Sequence, residues 1–225
     1  MELRFFEIYR NHEYISLLLE GSCLSIALTV GGGIAGFVFA TGLAGARYAR
    51  LPILSQISAV YVEFVRNTPL IVQMFFVAFG LPLLFGYQWP FWGHAFLALT
   101  LNFAAYFAEI LRAGFGAMKH GQLEAAAALG IPKPLAFWKI TFPQAVASMY
   151  PSLSSQFVFL FLTTGIISEI GVRDLTYAGL FIDSRSFRSF EVFFTLTVLY
   201  ILIALGFKYA LKLIHDRMFP WRTIR

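Results

Sequence analysis

Charged side chains that interrupt long apolar stretches are the first residues of this sequence that could do chemistry. Glu63 and Arg66 lie three residues apart in such a stretch. On a helix this spacing places both on one face, where they could simply pair. Ionisable groups in apolar surroundings also line binding sites and gates, because they must face a partner or a polar cavity. Two interpretations stay open here: a structural ion pair, or a gate or binding group for a charged small molecule.

Glu109 is the second such position. With Asn102 and Tyr106 it forms a polar stripe at the spacing i, i+4 and i+7, which falls on one side of a helix. Its carboxylate could hold the ammonium group of a small molecule. Arg112, three residues later, offers a structural partner instead, and stripes of this period also occur where two helices pack. The sequence therefore predicts either binding chemistry or helix packing along this stripe.

The sequence contains none of the residue patterns that mark an enzyme or a metal protein. There is no phosphate-binding G-x-x-x-x-G-K-[ST] segment, no H-E-x-x-H pair and no nucleophile with an adjacent base. The single cysteine, Cys23, and four scattered histidines provide no metal site. The net charge of +5 comes without a basic stripe interleaved with aromatic residues, so nucleic-acid binding is not expected. We predict no catalytic residue, no metal and no cofactor bound by this chain.

The helices that carry these residues must lie in a membrane. Of the 225 residues, 59% are apolar and 13% are charged, and the mean hydropathy is +0.72, whereas about a quarter of the residues of a soluble domain are charged. Such a surface requires lipid as its solvent, and a span needs about 20 apolar residues. We expect one all-α membrane domain, 1–225, with five transmembrane helices over about 21–46, 53–84, 93–112, 140–168 and 192–210.

The distribution of Lys and Arg predicts how these spans are oriented. Eleven basic residues fall at one set of span ends and five at the other, while Arg66 lies within the second span. Because cytoplasmic ends are enriched in Lys and Arg, the sequence predicts an external N-terminus and a cytoplasmic C-terminus. The cytoplasmic set is Arg47, Arg50, Arg112, Lys119, Lys133, Lys139, Lys208, Lys212, Arg217, Arg222 and Arg225, and the external set is Arg4, Arg10, Arg173, Arg185 and Arg188.

A polar segment over about 114–139 separates the third predicted span from the fourth. Residues 122–129 are rich in alanine and predict a short helix. Gly130 is a natural C-terminal stop, and Pro132 and Pro134 prevent the helix from continuing. A short rigid helix with a face of methyl groups can enter a groove of a partner protein and transmit motion. The alternative is a surface helix that happens to be rich in alanine.

The spacing in this segment resembles the EAA loop of ABC-transporter permeases. Glu124-Ala125-Ala126 is followed after three residues by Gly130, and after nine more by Ile140, one residue, and Phe142-Pro143. The family pattern is E-A-A-x3-G-x9-I-x-L-P. The chain departs from it at Phe142 alone, where one apolar residue replaces another.

Segments on both sides narrow the resemblance to permeases for polar amino acids. Residues 61–70 and 106–114 are similar to the second and third helices of that branch, and Gly121-Gln122 and Pro143-Gln144-Ala145 agree with it. The resemblance covers about residues 20–215. It implies the type I importer fold with five transmembrane helices, located in the inner membrane of a bacterial cell.

The resemblance also implies a set of partners. Two permease subunits lie side by side in membrane lipid, a dimer of ATPase subunits beneath them binds ATP and Mg²⁺, and an external binding protein delivers the amino acid. The chain would then be a transport subunit and not an enzyme. The residues implied to couple it to the ATPase are Gly121, Gln122, Glu124, Ala125, Ala126, Gly130 and Pro143.

One departure from this family concerns the end of the fourth span. Relatives usually have Lys-Asp-Thr-Ser where this chain has Leu162-Thr163-Thr164-Gly165. An intact coupling loop beside an altered site predicts a heterodimer with a second, different permease, and a homodimer is the alternative. A channel or a secondary-transporter subunit is the alternative function. The candidate substrate path consists of Glu63, Arg66, Asn102, Tyr106, Glu109, Thr163 and Thr164.

Overall fold

The computed structural model describes residues 3–118 and 120–222, and every regular element in these two ranges is helical. Two of the helices change character along their length. Helix α4 contains a π-helical turn over Phe76–Gly80, and α7 contains one over Phe137–Thr141 and ends in a 3₁₀ segment, Thr164–Ile170. The helices are α1 (Phe6–Tyr9), α2 (His12–Tyr48), α3 (Pro52–Arg66), α4 (Leu70–Phe85), α5 (Phe91–Gly116), α6 (His120–Ala128), α7 (Lys133–Ile170), α8 (Leu175–Ser186) and α9 (Ser189–Met218).

Within the residues that the structure describes, four helices are long and apolar enough to cross a membrane, namely α2, α5, α7 and α9. Helices α3 and α4 together would make a fifth span, but they are bent by 108° at the break between them. The single helix expected over 53–84 is therefore two helices. The physical reason is Pro69, which has no N–H to donate and whose ring disfavours a helical conformation of the residue before it.

The other helices extend beyond the apolar runs that predict them. Helix α2 begins at His12, because the side chain of Asn11 caps it by accepting a hydrogen bond from the Glu13 N–H at 2.9 Å. Helix α9 runs to Met218, and α8 lies between the last two spans, where no helix was expected. A run of apolar residues identifies the part of a helix that can lie in lipid. Capping residues determine where the helix begins and ends.

The core forms around α5, which packs against α2, α3, α4 and α7. Glycines on α2 allow the close approach: a Cβ at Gly36 would lie 3.2 Å from the Thr100 carbonyl oxygen of α5, and one at Gly33 would overlap the ring of Phe157 on α7. Small residues bring membrane helices together in this way, since packing rather than the hydrophobic effect drives their association. The glycine triplet 31–33 therefore lies inside an unbroken helix.

At one end of the bundle, ion pairs fasten α1 to the start of α9. The Arg188 guanidinium donates to both oxygens of Glu7, at 2.5 and 3.0 Å, and to Glu191 at 3.3 Å. The Tyr9 hydroxyl lies 2.9 Å from the hydroxyl of Thr195. The contacts made by Glu7 and Tyr9 join segments more than 180 residues apart in the sequence. The N-terminal helix therefore belongs to the packed structure.

Asp174 caps α8 from a buried position. Its carboxylate accepts hydrogen bonds from the N–H groups of Tyr177 at 2.9 Å and Thr176 at 3.2 Å. The neighbouring Leu175 N–H donates to Ser25 of α2 at 3.3 Å, and Gly21 leaves room for the backbone of Asp174. The Asp174 side chain is fully buried, and this burial raises the pKa of its carboxyl from 3.8 to about 6.

Replacement of Asp174 by Asn tests this buried cap. Because the pKa is raised in the folded state, that state holds the proton more firmly than the unfolded chain does. The stability gained in this way is complete below about pH 4 and is lost as the pH rises through about 6. We expect Asp174→Asn, which still caps the helix, to remove a pH dependence of at most about 3 kcal/mol.

Thermal unfolding of the detergent-solubilised protein between pH 4.5 and 7.5 measures the effect. The wild-type Tm should fall with rising pH relative to that of the Asn variant. Asp183→Asn, the same change on the same helix, serves as the control. A constant difference between the wild-type and Asp174→Asn curves at all pH values would contradict the account.

Candidate functional site

The site is built around the break between α3 and α4. In a continuous helix the carbonyl of Val65 would accept a hydrogen bond from the N–H of residue 69, but Pro69 has none. The side-chain amide of Gln73 takes its place and donates to the Val65 oxygen at 2.8 Å. The same nitrogen lies 2.6 Å from the Thr68 hydroxyl and 3.1 Å from the Thr68 carbonyl oxygen. The bend is thus closed by hydrogen bonds from within the chain.

A second contact of Gln73 ties this bend to the central helix. Its side-chain oxygen accepts a hydrogen bond from the amide of Asn102, on α5, at 2.9 Å. Asn102 is buried, with 3% of its surface exposed. A buried amide needs its partners, so this hydrogen bond fixes the position of the bend against α5.

Beside the bend lies a cavity of about 560 Å³. Its walls come from the junction of α3 and α4, from the middle of α5 and from the end of α7. The guanidinium of Arg66 lies over the ring of Tyr106 at 5.8 Å from the centroid, a cation–π contact. The lining residues are Arg66, Asn67, Thr68, Pro69, Leu70, Asn102, Phe103, Tyr106, Phe159, Thr163 and Ile166.

Four of the seven residues of the candidate substrate path meet in this cavity: Arg66, Asn102, Tyr106 and Thr163. Arg66 is the one formally charged residue of its lining. A guanidinium with hydroxyl, amide and aromatic groups around it can bind a carboxylate-bearing small molecule. Such a set contains no nucleophile with a base, so it suits binding and not catalysis.

Glu63 and Thr164 lie outside the cavity. The Glu63 carboxylate accepts a hydrogen bond from the side chain of Asn67 at 3.2 Å, and the structure has no ion pair between Glu63 and Arg66. The structural pairing considered for these two residues is therefore wrong, since Arg66 turns to Tyr106 instead. The buried Thr164 hydroxyl donates to the Phe161 carbonyl oxygen at 2.7 Å within α7.

Glu109 bridges two helices at the end of α5. Its carboxylate accepts hydrogen bonds from Arg112 at 2.5 to 3.1 Å and from Arg47, on α2, at 3.3 Å. The structural partner expected at Arg112 is present, and Arg47 adds a second one that sequence spacing does not reveal. Glu109 does not line the cavity.

Sequence reasoning missed two polar residues of the site, Asn67 and Thr68, and a supporting residue outside it, Gln73. Asn67 and Thr68 line the cavity, and Gln73 closes the bend behind it. The signal was Pro69, because a proline inside an apolar run predicts a break whose unpaired carbonyl needs a nearby donor. Interpreting the run as one continuous span concealed that signal.

A larger cavity of about 1000 Å³ lies between α7 and α9. Its walls are mostly apolar, with Lys208, Lys212 and His215 towards one end. None of the seven candidate residues lines it. The smaller, more polar cavity is therefore the candidate site.

The segment after α5 places a short helix at the surface of the protein. Helix α6 ends in a Schellman motif: Gly130, at φ +69°, donates from its N–H to the Ala127 carbonyl, and Ile131 donates to that of Ala126, both at 3.0 Å. Gly121, Gln122, Glu124 and Ala125 are exposed, as is Gly130, whereas Ala126 is buried. Pro143 lies half-buried in α7, beyond the π-helical turn.

Comparison with known proteins identifies the family of this arrangement. Residues 32–220 match the family described as "Binding-protein-dependent transport system inner membrane component". The chain belongs to this family. Its members are inner-membrane permeases and not enzymes, because ATP is hydrolysed by a separate subunit. This match decides against a channel or a secondary-transporter subunit, and it confirms the family predicted from the EAA loop.

Two relatives extend the similarity over most of the permease. The L-cystine transport system permease protein TcyL of Bacillus subtilis (strain 168) is 34% identical over 190 residues, which cover 81% of this chain and 79% of the relative. The octopine transport system permease protein OccM of Rhizobium radiobacter is 34% identical over 194 residues, covering 83% of this chain and 79% of the relative.

Solved structures agree with the fold. A chain of an amino acid ABC transporter crystallised with histidines superposes with a TM-score of 0.84 at 30% identity and covers 96% of this permease and 100% of that chain. A chain of the MetNI methionine ABC transporter in an inward-facing conformation gives 0.78 at 19% identity and covers 92% and 99%. At that identity the second likeness concerns the fold alone.

Glu109→Gln separates a structural role of this carboxylate from a substrate role. Because Glu109 contacts Arg47 and Arg112 and lies outside the cavity lining, we expect the change to lower the stability by about 1 kcal/mol or less. The KM for uptake should stay the same. Thermal unfolding and uptake by vesicles, normalised to the amount of folded transporter, measure the two effects.

Glu63→Gln, a change of an exposed carboxylate with one side-chain partner, is the matched control. A KM for uptake that rises in the Glu109 variant but not in the Glu63 variant would show that Glu109 contributes to substrate binding.

Proposed function

We propose that this permease forms the translocation pathway of an ATP-driven importer for polar amino acids. The observation that carries the proposal is the cavity in which Arg66, Asn102, Tyr106 and Thr163 meet. An amino acid must shed water inside a membrane protein, and polar groups that replace this water lower the cost. Relatives named for cystine and octopine transport, and a solved amino acid transporter of the same fold, support the substrate class.

The cavity is the proposed substrate site within this chain. The Arg66 guanidinium would pair with the carboxylate of the amino acid, since Arg matches carboxylate geometry. Tyr106, Asn102 and Thr163 would surround the rest of the molecule with an aromatic face, an amide and a hydroxyl. Glu63, Glu109 and Thr164 make their hydrogen bonds outside the cavity and would act on the pathway only through neighbouring residues.

Helix α6 and its cap are the proposed contact with the ATPase dimer, which would bind ATP and Mg²⁺. The exposure of Gly121, Gln122, Glu124 and Ala125 supports this role, because a docking helix must present its surface. The left-handed Gly130 ends the helix and returns the chain to α7. Ala126 and Pro143 would hold α6 against the bundle. An external binding protein would deliver the amino acid at the opposite end.

Five spans, with the N-terminus outside and the C-terminus in the cytoplasm, are the proposed topology. It requires the bent pair α3 and α4 to count as one span. The ion pairs support it, since Arg4 and Arg188 of the smaller basic set share Glu7, while Arg47 and Arg112 of the larger set share Glu109.

The proposed working unit is a heterodimer with a second, different permease. Thr163 lies in the cavity where relatives carry Asp, so the ionisable groups for the substrate would come largely from the other subunit. Membrane vesicles that contain this permease, its ATPase and its binding protein should then transport poorly. Full uptake without a second permease would establish the homodimer instead.

Gly130→Val tests the coupling role. A β-branched residue at φ +69° is strained, by about 1–2 kcal/mol or more, and should displace the chain between α6 and α7. We expect at least a tenfold loss of uptake and of substrate-stimulated ATP hydrolysis, with normal insertion into the membrane. Glu124→Lys should have the same direction of effect.

Gly116→Ala is the matched control, because a methyl group there meets open space and the backbone φ is not left-handed. Uptake that survives the Gly130 change in sealed vesicles would disprove the coupling role.

Reporter fusions test the topology. A reporter placed at Gln88, between α4 and α5, should give an external signal, and one at His120 should give a cytoplasmic signal. The same side for both positions would refute the five-span arrangement.

A further inference from the structure

We propose that Gln73 is a positioning residue that makes the wall of the cavity follow the movement of α5. Gln73 is absent from the cavity lining, so it would act through residues that do line it. The inference rests on the proposed function, because it gives the cavity its link to the helix that leads to the ATPase contact.

The first step is the need for a donor at the bend. Within lipid an unpaired backbone carbonyl is costly, and Pro69 leaves that of Val65 without its helical partner. The Thr68 hydroxyl lies 3.3 Å from this oxygen but 3.0 Å from that of Phe64, and it has one proton to give. The Gln73 amide, at 2.8 Å from the Val65 oxygen, is therefore the main donor that stabilises the bend.

The second step concerns the oxygen atom of the same side-chain amide. The Gln73 oxygen accepts from the buried amide of Asn102 at 2.9 Å. One residue thus holds α3 by its nitrogen and α5 by its oxygen. Arg66, at the last turn of α3, is placed over Tyr106 of α5 as a consequence. If this connection were lost, Arg66 would no longer keep its position relative to the rest of the cavity.

The third step is the continuity of α5. This helix runs without a proline from Phe91 to Gly116, and only residues 117–119 separate it from α6. A displacement of α6 by the ATPase would therefore move Asn102 along with α5. Through the Gln73 bridge the α3–α4 bend would follow, so that ATP-driven motion reaches the cavity wall.

Spin labels test the bend without any need for substrate. Exposed Ile57 on α3 and exposed Leu84 on α4 are replaced by Cys in a Cys23→Ser background, which removes the one native cysteine. We expect Gln73→Leu to broaden or shift the distance distribution between the labels. Gln56→Leu, the same change at an exposed position of α3, should leave it unchanged.

Transport kinetics supply the second readout. In vesicles with the second permease, the ATPase and the binding protein, Gln73→Leu should raise the KM for uptake at least about tenfold, because it removes the buried hydrogen bonds to both Val65 and Asn102. Basal ATP hydrolysis should remain, while its stimulation by substrate falls. Gln73→Glu keeps an acceptor for Asn102 but loses the amide donor when ionised, so its KM should lie between those of the wild type and Gln73→Leu.

Gln73→Asn keeps the test decisive if the Leu variant does not fold, since the shorter amide cannot reach both partners. An unchanged distance distribution in a folded Gln73 variant, or an unchanged KM, would overturn the inference. Failure of the proposed function has a different signature: the wild-type transporter would not take up amino acids, whereas the spin-label distances would still respond to Gln73.

Discussion

The structure depends on one constraint: lipid offers no hydrogen-bond partner to the backbone, so every buried N–H and C=O must find one within the protein. Most of the chain meets it by forming long helices. At the break over Asn67–Pro69 the side chain of Gln73 supplies the missing donor to Val65. Because the break is closed in this way, the chain can turn by 108° and leave a polar cavity inside an apolar bundle.

Charged side chains also find partners within the protein. Glu109 accepts from Arg112 and Arg47 at once, and Arg188 is held by Glu7 and Glu191. Arg66 differs, because its guanidinium lies over the face of the Tyr106 ring at 5.8 Å from the centroid, a weaker contact than a carboxylate would make. In the proposed function this guanidinium pairs with the carboxylate of the amino acid.

Helix α5 connects the two places where function is proposed. Its middle contributes Asn102 and Tyr106 to the cavity, and its end leads into α6. The glycines of α2 allow α5 to pack closely over residues 96–104. A helix packed in this way is expected to move as a unit. A subunit needs this property if ATP hydrolysis at one end is to change a site at the other.

The sequence by itself determined the membrane class, the family and the form of the segment that contains α6. Each rests on local or additive properties, such as hydropathy, the EAA spacing and the cap at Gly130, which near neighbours decide. Only the tertiary structure decided the site. The spacing of Glu63 and Arg66 allows either a pair or a binding role, whereas in the structure Glu63 meets Asn67 and Arg66 meets Tyr106, 40 residues away in the sequence. The Gln73–Asn102 bond likewise joins residues 29 apart. Such contacts follow from how α3, α4 and α5 pack, and periodicity within one helix carries no information about its neighbours.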